Sequence, residues 1–426
     1  MKQLDLFTPL TRDERQEVGR KLWIKHKCCG TFVWPTGTGK TYGAIKCIKS
    51  VINHYPYFRV LVVVPTEPLK NQWQEYFDRE DLAFNCEVQI INTVVTRNWK
   101  CNILVLDECH RYAADTFAKV FEVVKYQYIL GLTATFSRLD GKEALISKYC
   151  PVIDTITIEE ATFNGWVSQY KEYAVLLDVD DIEEYNEYNR EFYEHFEFFH
   201  MDFGLAMSCV GPTGHRGRLA LRDTMCPYGT PEQKTAVLKS ILMHTKKFMS
   251  AMTARKKFVN NHPKKIEVAR KIIRARNDKK IITFSNNIKM AEAIKIGKVY
   301  TGKISKKKSR TTIEEFNNEP PPAVINSVAR LNEGADLKGL SVAIHLGLDS
   351  SKTKAVQKRG RIIRFEPGKQ AENFILVIRG TVEEKWLRNA YGTQIPRINE
   401  EELDKILKGE EIEISYKPLT NLMFRF

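Results

Sequence analysis

The chain has 426 residues, 43% of them hydrophobic and 28% charged, with a formal net charge of +14. That length calls for about two or three domains of ordinary globular composition. No apolar run is long enough to span a membrane, the N-terminus has no apolar signal core, and the nine scattered cysteines read as reduced thiols; membrane and secreted classes are excluded and a cytoplasmic protein is expected.

The elements alternate from the start. A short β-prone run, Gly30–Trp34, enters the segment Trp34-Pro35-Thr36-Gly37-Thr38-Gly39-Lys40-Thr41, and residues 41–51 read as a helix. Arg59–Val64 is a continuous apolar strand ended by Pro65, and 68–77 looks helical. Asn102–Leu106 is a second buried strand running into Asp107-Glu108-Cys109-His110, and Tyr128–Leu132 leads into Thr133-Ala134-Thr135. Continuous apolar strands alternating with helices imply a parallel sheet covered on both faces, whose ligands bind beyond the strands' carboxyl ends.

The pattern restarts with a strand at 173–177 and is then interrupted. Residues 178–202 carry ten Asp/Glu and one Arg, with Tyr185, Tyr188, Phe192, Phe196 and Phe199 at three- and four-residue steps. That is an acidic amphipathic helix whose aromatic stripe packs rather than stacks on bases, since the acidic face would repel phosphate. Residues 204–230 read as loop-rich and 231–260 as helical, so about 180–262 is a mostly helical insertion. Strands resume at 280–284, 323–325, 342–346 and 373–378, and 400–408 reads as a helix within a tail from 395 to 426. Residues 264–310 hold sixteen Lys/Arg against three Asp/Glu. One concentrated basic stretch fits a polyanion, because neutralising phosphates releases counterions. His200, Cys209, His215 and Cys226 are too irregularly spaced to read as a zinc site.

The chemistry lies at the strand ends. Gly37 and Gly39 let backbone N–H groups converge on phosphate oxygens, Lys40 can reach the β- and γ-phosphates, and Thr41 can place its hydroxyl on Mg²⁺. Trp34 stands where the strict pattern asks for glycine. Asp107 and Glu108 emerge side by side from an apolar strand, where packing alone would not put them. Asp107 reads as a Mg²⁺ partner, direct or through water, and Glu108 as the base or orienter of the attacking water. His110 takes a hydrogen-bonding role that senses nucleotide state, and Cys109 packs. Arg361 and Arg364, in a Gly-containing basic turn, can stabilise charge on a transferring phosphoryl group.

In this order the motifs resemble those of superfamily 2 helicases over about residues 8–392, in the branch of phage recombination helicases, excision-repair helicases and restriction-enzyme motor subunits. The brevity of the chain is most similar to the phage members. The resemblance implies two RecA-like α/β lobes, 1–165 and 166–394, with the insertion in the second and ATP between them. It assigns adenine reading to Gln16 and completes the ATP and Mg²⁺ site with Thr36, Thr38, Gly334 and Asp336. Thr133, Thr135 and Gln357 become coupling residues beside His110. Pro65 and Thr66 in VPTEPL, Thr93, Ser285 and Asn286 in IITFSNN, and Thr301, Gly302, Lys306 and Arg310 become nucleic-acid contacts. Two positions depart from the family pattern: Phe136 stands where proline commonly follows TAT, and Lys358 replaces the first arginine of QRxGRxxR. The expected activity is ATP-driven unwinding or branch migration of single-stranded, forked or branched DNA. The alternatives are an RNA helicase and a translocase that displaces protein without separating strands. No particular replication or recombination partner is implied.

Overall fold

Strands built from unbroken apolar runs need cover on both faces, and helices supply it here. The computed structural model describes residues 9–136, 143–328, 337–349, 351–393 and 395–413. In the first lobe the strands are β1 (Cys29–Val33), β2 (Val60–Val64), β3 (Cys86–Ile90), β4 (Trp99–Lys100), β5 (Ile103–Asp107), β6 (Val124–Lys125), β7 (Tyr128–Thr133) and β8 (Val152–Thr155). Six of them form one parallel sheet in the order β3-β2-β5-β7-β1-β8, while β4 and β6 pair separately. In β2 and β5 every residue is buried, as a strand covered on both faces requires, down to Asp107 at the end of β5.

The second lobe repeats the plan with β9 (Gln169–Leu177), β10 (Lys280–Ser285), β11 (Lys298–Tyr300), β12 (Ala323–Val328), β13 (Leu340–His345), β14 (Gln370–Ile378) and β15 (Arg397–Ile398). Its seven-stranded sheet, in the order β11-β12-β10-β13-β14-β9-β15, is also parallel. These are two RecA-like α/β lobes. Residues 397–408, assigned to a tail on sequence, add β15 to this sheet and a helix, Glu400–Lys408, whose Leu403 and Ile406 join its core. The first lobe's apolar core continues through Trp166 and Val167 of the connecting segment into Ile362 and Ile363. No helix among the described residues is long and apolar enough to cross a membrane.

Between β9 and β10 the chain makes helices Ile182–Glu197, Phe203–Ser208, His215–Met225, Pro231–Asn261 and Pro263–Ala275. The aromatic stripe packs: Phe192, Phe196 and Phe199 surround Phe248, with Phe192 and Phe248 centroids 5.0 Å apart. The loop-rich reading of 204–230 is corrected, because two helices occupy most of it. Gly214, Gly217 and Gly229 mark close approach, and Gly211 an open turn at φ 72°. A Cβ on Gly217 would sit 2.2 Å from the Ser208 carbonyl oxygen, so the two helices meet only because that position is bare.

The basic stretch 264–310 presents less free charge than its composition suggests. Many of its cations are spent within the lobe. Lys265 and Glu383 form a fully buried ion pair at 2.6 Å, Arg276 pairs with Glu372 at 2.5 Å, Lys264 with Glu400 at 3.1 Å, and Lys271 with Asp404. Lys298 bridges Glu315 and Glu319, Lys280 caps the carbonyls of Phe316 and Asn317, and Arg270 caps those of Ala293 and Ile294. Arg274, Lys289 and Lys295 are exposed singly, and a group of exposed cations, Lys303, Lys307, Lys308 and Arg310, gathers around the start of helix Lys306–Asn318.

Candidate nucleotide site between the lobes

β1 delivers the phosphate cradle. Gly37 and Gly39 adopt φ of 95° and 87°, the left-handed region that glycine enters without strain, and helix Lys40–Ile52 starts at Gly39 with no side-chain cap. A helix N-terminus opened this way suits an anion. Trp34 explains its own departure from the glycine consensus. It is fully buried, stacks on Phe32 at 4.6 Å and donates from Nε1 to Asp154 Oδ2 at 2.9 Å. A Cβ on Gly19 or Gly43 would come within 2.5 or 2.6 Å of its ring, so Trp34 fills the seam between helix Arg12–Lys25 and the cradle helix. Lys40 Nζ rests on the Trp34 carbonyl at 3.1 Å, Thr38 Oγ1 donates to the Pro35 carbonyl at 2.8 Å, and Thr41 is half-buried in the first helical turn.

β5 delivers the carboxylates. Asp107 Oδ2 accepts the Trp73 indole N–H at 2.8 Å and Oδ1 accepts the Glu108 N–H at 3.0 Å. Burial first, then the Glu108 charge, pushes the Asp107 carboxyl up to about 6, against the pull of Trp73 and Lys40. A desolvated acid facing Lys40 is a suitable partner for a hard cation. Glu108 itself sits at φ 49°, ψ 49°, a left-handed conformation costing about 1–3 kcal/mol in a residue with a Cβ and found mainly where function demands it.

From Glu108 a polar line leads to the end of β7. His110 Nδ1 lies 3.5 Å from Glu108 Oε2 and 2.9 Å from Thr133 Oγ1. Thr133 gives its proton to the Thr135 carbonyl at 2.6 Å and accepts the Thr135 N–H at 3.2 Å, so it takes a proton from the Nδ1–H of His110. The residues assigned to coupling in the first lobe are therefore hydrogen-bonded to one another, with the assigned base 3.5 Å from His110. Gln357 is half-buried in helix Lys352–Ile362 and is not part of this line.

The arginines reach the cradle from the second lobe. The basic turn expected around them is instead that helix, with Arg361 inside it and Arg364 just beyond; Gly360 continues the helix and does not break it. The connecting segment holds them in place. Ser168 N–H donates to the Ile363 carbonyl at 2.9 Å, Ser168 Oγ donates to the Arg364 carbonyl at 2.9 Å, and Val167 forms a β-bridge with Arg364. A Cβ on Gly37 would lie 3.4 Å from Val167 and 3.9 Å from the Arg364 Cα, and one on Gly360 would lie 2.6 Å from the Thr36 Cβ. Burial lowers the Arg364 pKa, with Tyr76 offsetting part of the shift. Arg359 is engaged elsewhere, in a two-point pair with Glu172 at 2.9 and 2.5 Å. Lys358 lies over the Phe284 ring at 5.1 Å, and burial, with Lys354 adding to it against Asp349, lowers it to about 8.

Gln16 is buried against the cradle, with Nε2 3.5 Å from the carbonyls of both Thr38 and Gly39. The nucleic-acid candidates gather at other strand ends. Pro65 and Thr66 follow β2, Thr93 follows β3, Ser285 and Asn286 close β10, and Thr301 and Gly302 follow β11. All of these strands stand to one side of their sheets, whereas β5, β7 and β1 carry the nucleotide residues. Thr93, Asn286, Gly302 and Arg310 are exposed, Thr301 and Ser285 buried. Asn286 donates to Asn260 Oδ1 at 2.7 Å, which ties it to the insertion. Gly334 and Asp336 lie outside the described residues, as does the Lys306 side chain.

Sequence reading missed Arg12, Gly360, Trp73 and the connecting segment. Arg12 donates to the Trp166 carbonyl at 2.6 Å and lies over the Phe365 ring. Trp166 in turn donates to the Leu10 carbonyl at 2.8 Å. Only Gly360, a glycine inside a helical stretch, carried a sequence signal.

The model for the type III restriction enzyme res subunit matches residues 10–97 and 89–138, and that for the helicase conserved C-terminal domain matches 264–366. The chain belongs to the superfamily 2 helicases. It is 26% identical over 400 residues to the DNA 3'-5' translocase XPB2 of Sulfurisphaera tokodaii, covering 88% of this chain and 84% of that protein. In fold it is similar to S. cerevisiae Dbp5 bound to RNA and ADP BeF3, at TM-score 0.56 and 13% identity over 92% of this chain and 91% of that one. It is also similar to the ATP-dependent type ISP restriction-modification enzyme LlaBIII bound to DNA, at TM-score 0.56 and 15% identity over 96% of this chain and 32% of that one. The chain is thus an enzyme of the ATPase and helicase class.

Proposed function

We propose that this helicase is an ATP- and Mg²⁺-dependent motor that moves along DNA and thereby opens or migrates forked and branched substrates. The observation that carries the reading is the line Glu108–His110–Thr133–Thr135, which joins the assigned base to the strand end that follows it. Residues 36–41 would hold the phosphates, Thr41 and Asp107 the metal ion, Glu108 the attacking water, and Gln16 the adenine edge. Magnesium, when bound, supplies charge that neutralises the phosphate oxygens. Arg361 and Arg364 would add charge from the second lobe, so that turnover requires the lobes together. DNA is favoured over RNA by the long match to a protein named as a DNA translocase. The same name favours a second reading, translocation without strand separation.

The test is ATPase activity with no nucleic acid, single-stranded DNA, duplex, fork and RNA, followed on the same preparation by fork and four-way-junction unwinding. DNA should stimulate and RNA should not. Stimulation by DNA with no unwinding, but with displacement of a bound protein, supports the second reading. Stimulation by RNA alone refutes both.

A further inference from the structure

Helix Glu67–Arg79 begins directly after Thr66, at the strand-binding edge of the first lobe, and runs to the nucleotide site. Three of its side chains make contacts there. Trp73, 1% exposed, donates its indole N–H to Asp107 Oδ2 at 2.8 Å. Tyr76 meets Tyr42 of the cradle helix edge-on at 5.1 Å between centroids. Arg79 lies over the Tyr76 ring at 5.6 Å and donates to the Tyr42 hydroxyl at 3.4 Å. Trp73 and Tyr76 stand three residues apart, so they share one face. A hydrogen-bonded helix moves as a unit. A shift at Pro65 and Thr66 therefore displaces the indole that holds the Asp107 carboxylate in rotation.

We propose that helix Glu67–Arg79 relays occupancy of the nucleic-acid edge to the nucleotide site, with Trp73 positioning Asp107 and Tyr76 packed on Tyr42 of the cradle helix. This rests on the function proposed above. Apolar packing alone does not require the arrangement. A buried phenylalanine would fill the same core, whereas only an indole at this position gives Asp107 its second donor beside the Glu108 N–H. Trp73 touches neither phosphate nor strand by this reading and acts only through Asp107.

The test compares Trp73→Phe with Val62→Ala in the full chain. Val62 belongs to the same core cluster, and its truncation removes apolar volume without touching a polar group of the site. Melting temperature, DNA-free turnover, DNA-stimulated turnover, ATP KM and the Mg²⁺ concentration for half-maximal rate are measured on wild type and both variants. Trp73→Phe should lose roughly 10- to 100-fold of DNA-stimulated turnover, as expected for one hydrogen bond to a charged group. Its KM for ATP should stay within about threefold and its magnesium requirement should rise. Val62→Ala should melt earlier and keep the wild-type stimulation ratio. Wild-type stimulation and magnesium dependence in Trp73→Phe would overturn the relay alone, as would an equal loss of stimulation in Val62→Ala. A wild type that no nucleic acid stimulates would overturn the proposed function, and the relay with it.

Discussion

Gly360 lies within helix Lys352–Ile362, and its missing side chain is the space that Thr36 of the cradle occupies. A methyl group added there would stand 2.6 Å from the Thr36 Cβ, 2.8 Å from its Oγ1 and 3.2 Å from its Cγ2. Within the second lobe Gly360→Ala should be favourable, since alanine gains about 1 kcal/mol over glycine in a helix interior. Across the lobes it forces overpacking worth about 1–3 kcal/mol, incurred only when the lobes meet. The two effects act on different measurements. The population with both lobes engaged, and with it turnover, should fall about 5- to 150-fold, while the melting temperature holds or rises. Binding of a fluorescent ATP analogue to the first lobe should survive. The assay is steady-state ATPase with and without DNA beside calorimetric unfolding of the same protein. Turnover within twofold of wild type would refute the idea that this contact gates hydrolysis, and a lower melting temperature would refute the claim that the helix tolerates alanine.

Lys40→Ala should bring turnover to background with the fold intact, and Glu108→Gln should retain ATP binding while stopping turnover; a Glu108→Gln protein that hydrolyses ATP like wild type removes Glu108 as base. Lys307→Gln with Lys308→Gln, from the exposed remnant of the basic stretch, should lower the slope of log affinity against log salt by about 2 for any DNA sequence; an unchanged slope would reduce both to solvated lysines. Lys358 falls from an ordinary 10.5 to about 8 in the fold, so between those values the unfolded chain holds more protons and wild-type stability rises with pH. Lys358→Met should lack that rise, which is worth roughly 3 kcal/mol, and parallel stability–pH curves for the two proteins would exclude a buried charged lysine.

Legibility in the sequence followed the range of the interactions. β2, β5 and β7 could be read because their nearly unbroken apolar runs admit few other fates, and the cradle because Gly37 and Gly39 need backbone that other residues resist. β3 and β8, with mixed burial, carry no such run and were missed. Residues 264–310 misled because charge composition does not reveal partners: Glu372, Glu383, Glu400 and Asp404 lie far along the chain. The glycines at 211, 214, 217 and 229 suggested loops because a contact glycine and a turn glycine look alike in sequence. Trp73 gave no sign at all, since its hydrogen bond to Asp107 spans 34 residues and depends on how helix Glu67–Arg79 lies across the sheet.

The proposed nucleotide site is divided between lobes, and a divided site needs a device that sets the two halves in register without fusing them. The connecting segment has that form. Trp166 holds Leu10 and is held by Arg12, while Ser168 holds the backbone of Ile363 and Arg364; the segment on which Gln16 lies and the turn carrying Arg364 beyond helix Lys352–Ile362 are thus fastened to one short stretch of chain. The cradle meets this stretch through Val167 beside Gly37, a contact of bare backbone with one side chain. Hydrogen bonds fix the stretch to the N-terminal helix and to the arginine motif, whereas Val167 and Gly360 meet the cradle by van der Waals contact. Directional bonds resist sliding and apolar contacts permit it. Under the proposed function, a phosphate group entering between the cradle and Arg364 would draw the halves together, and its loss would release them, without breaking the bonds that keep the arginine aimed.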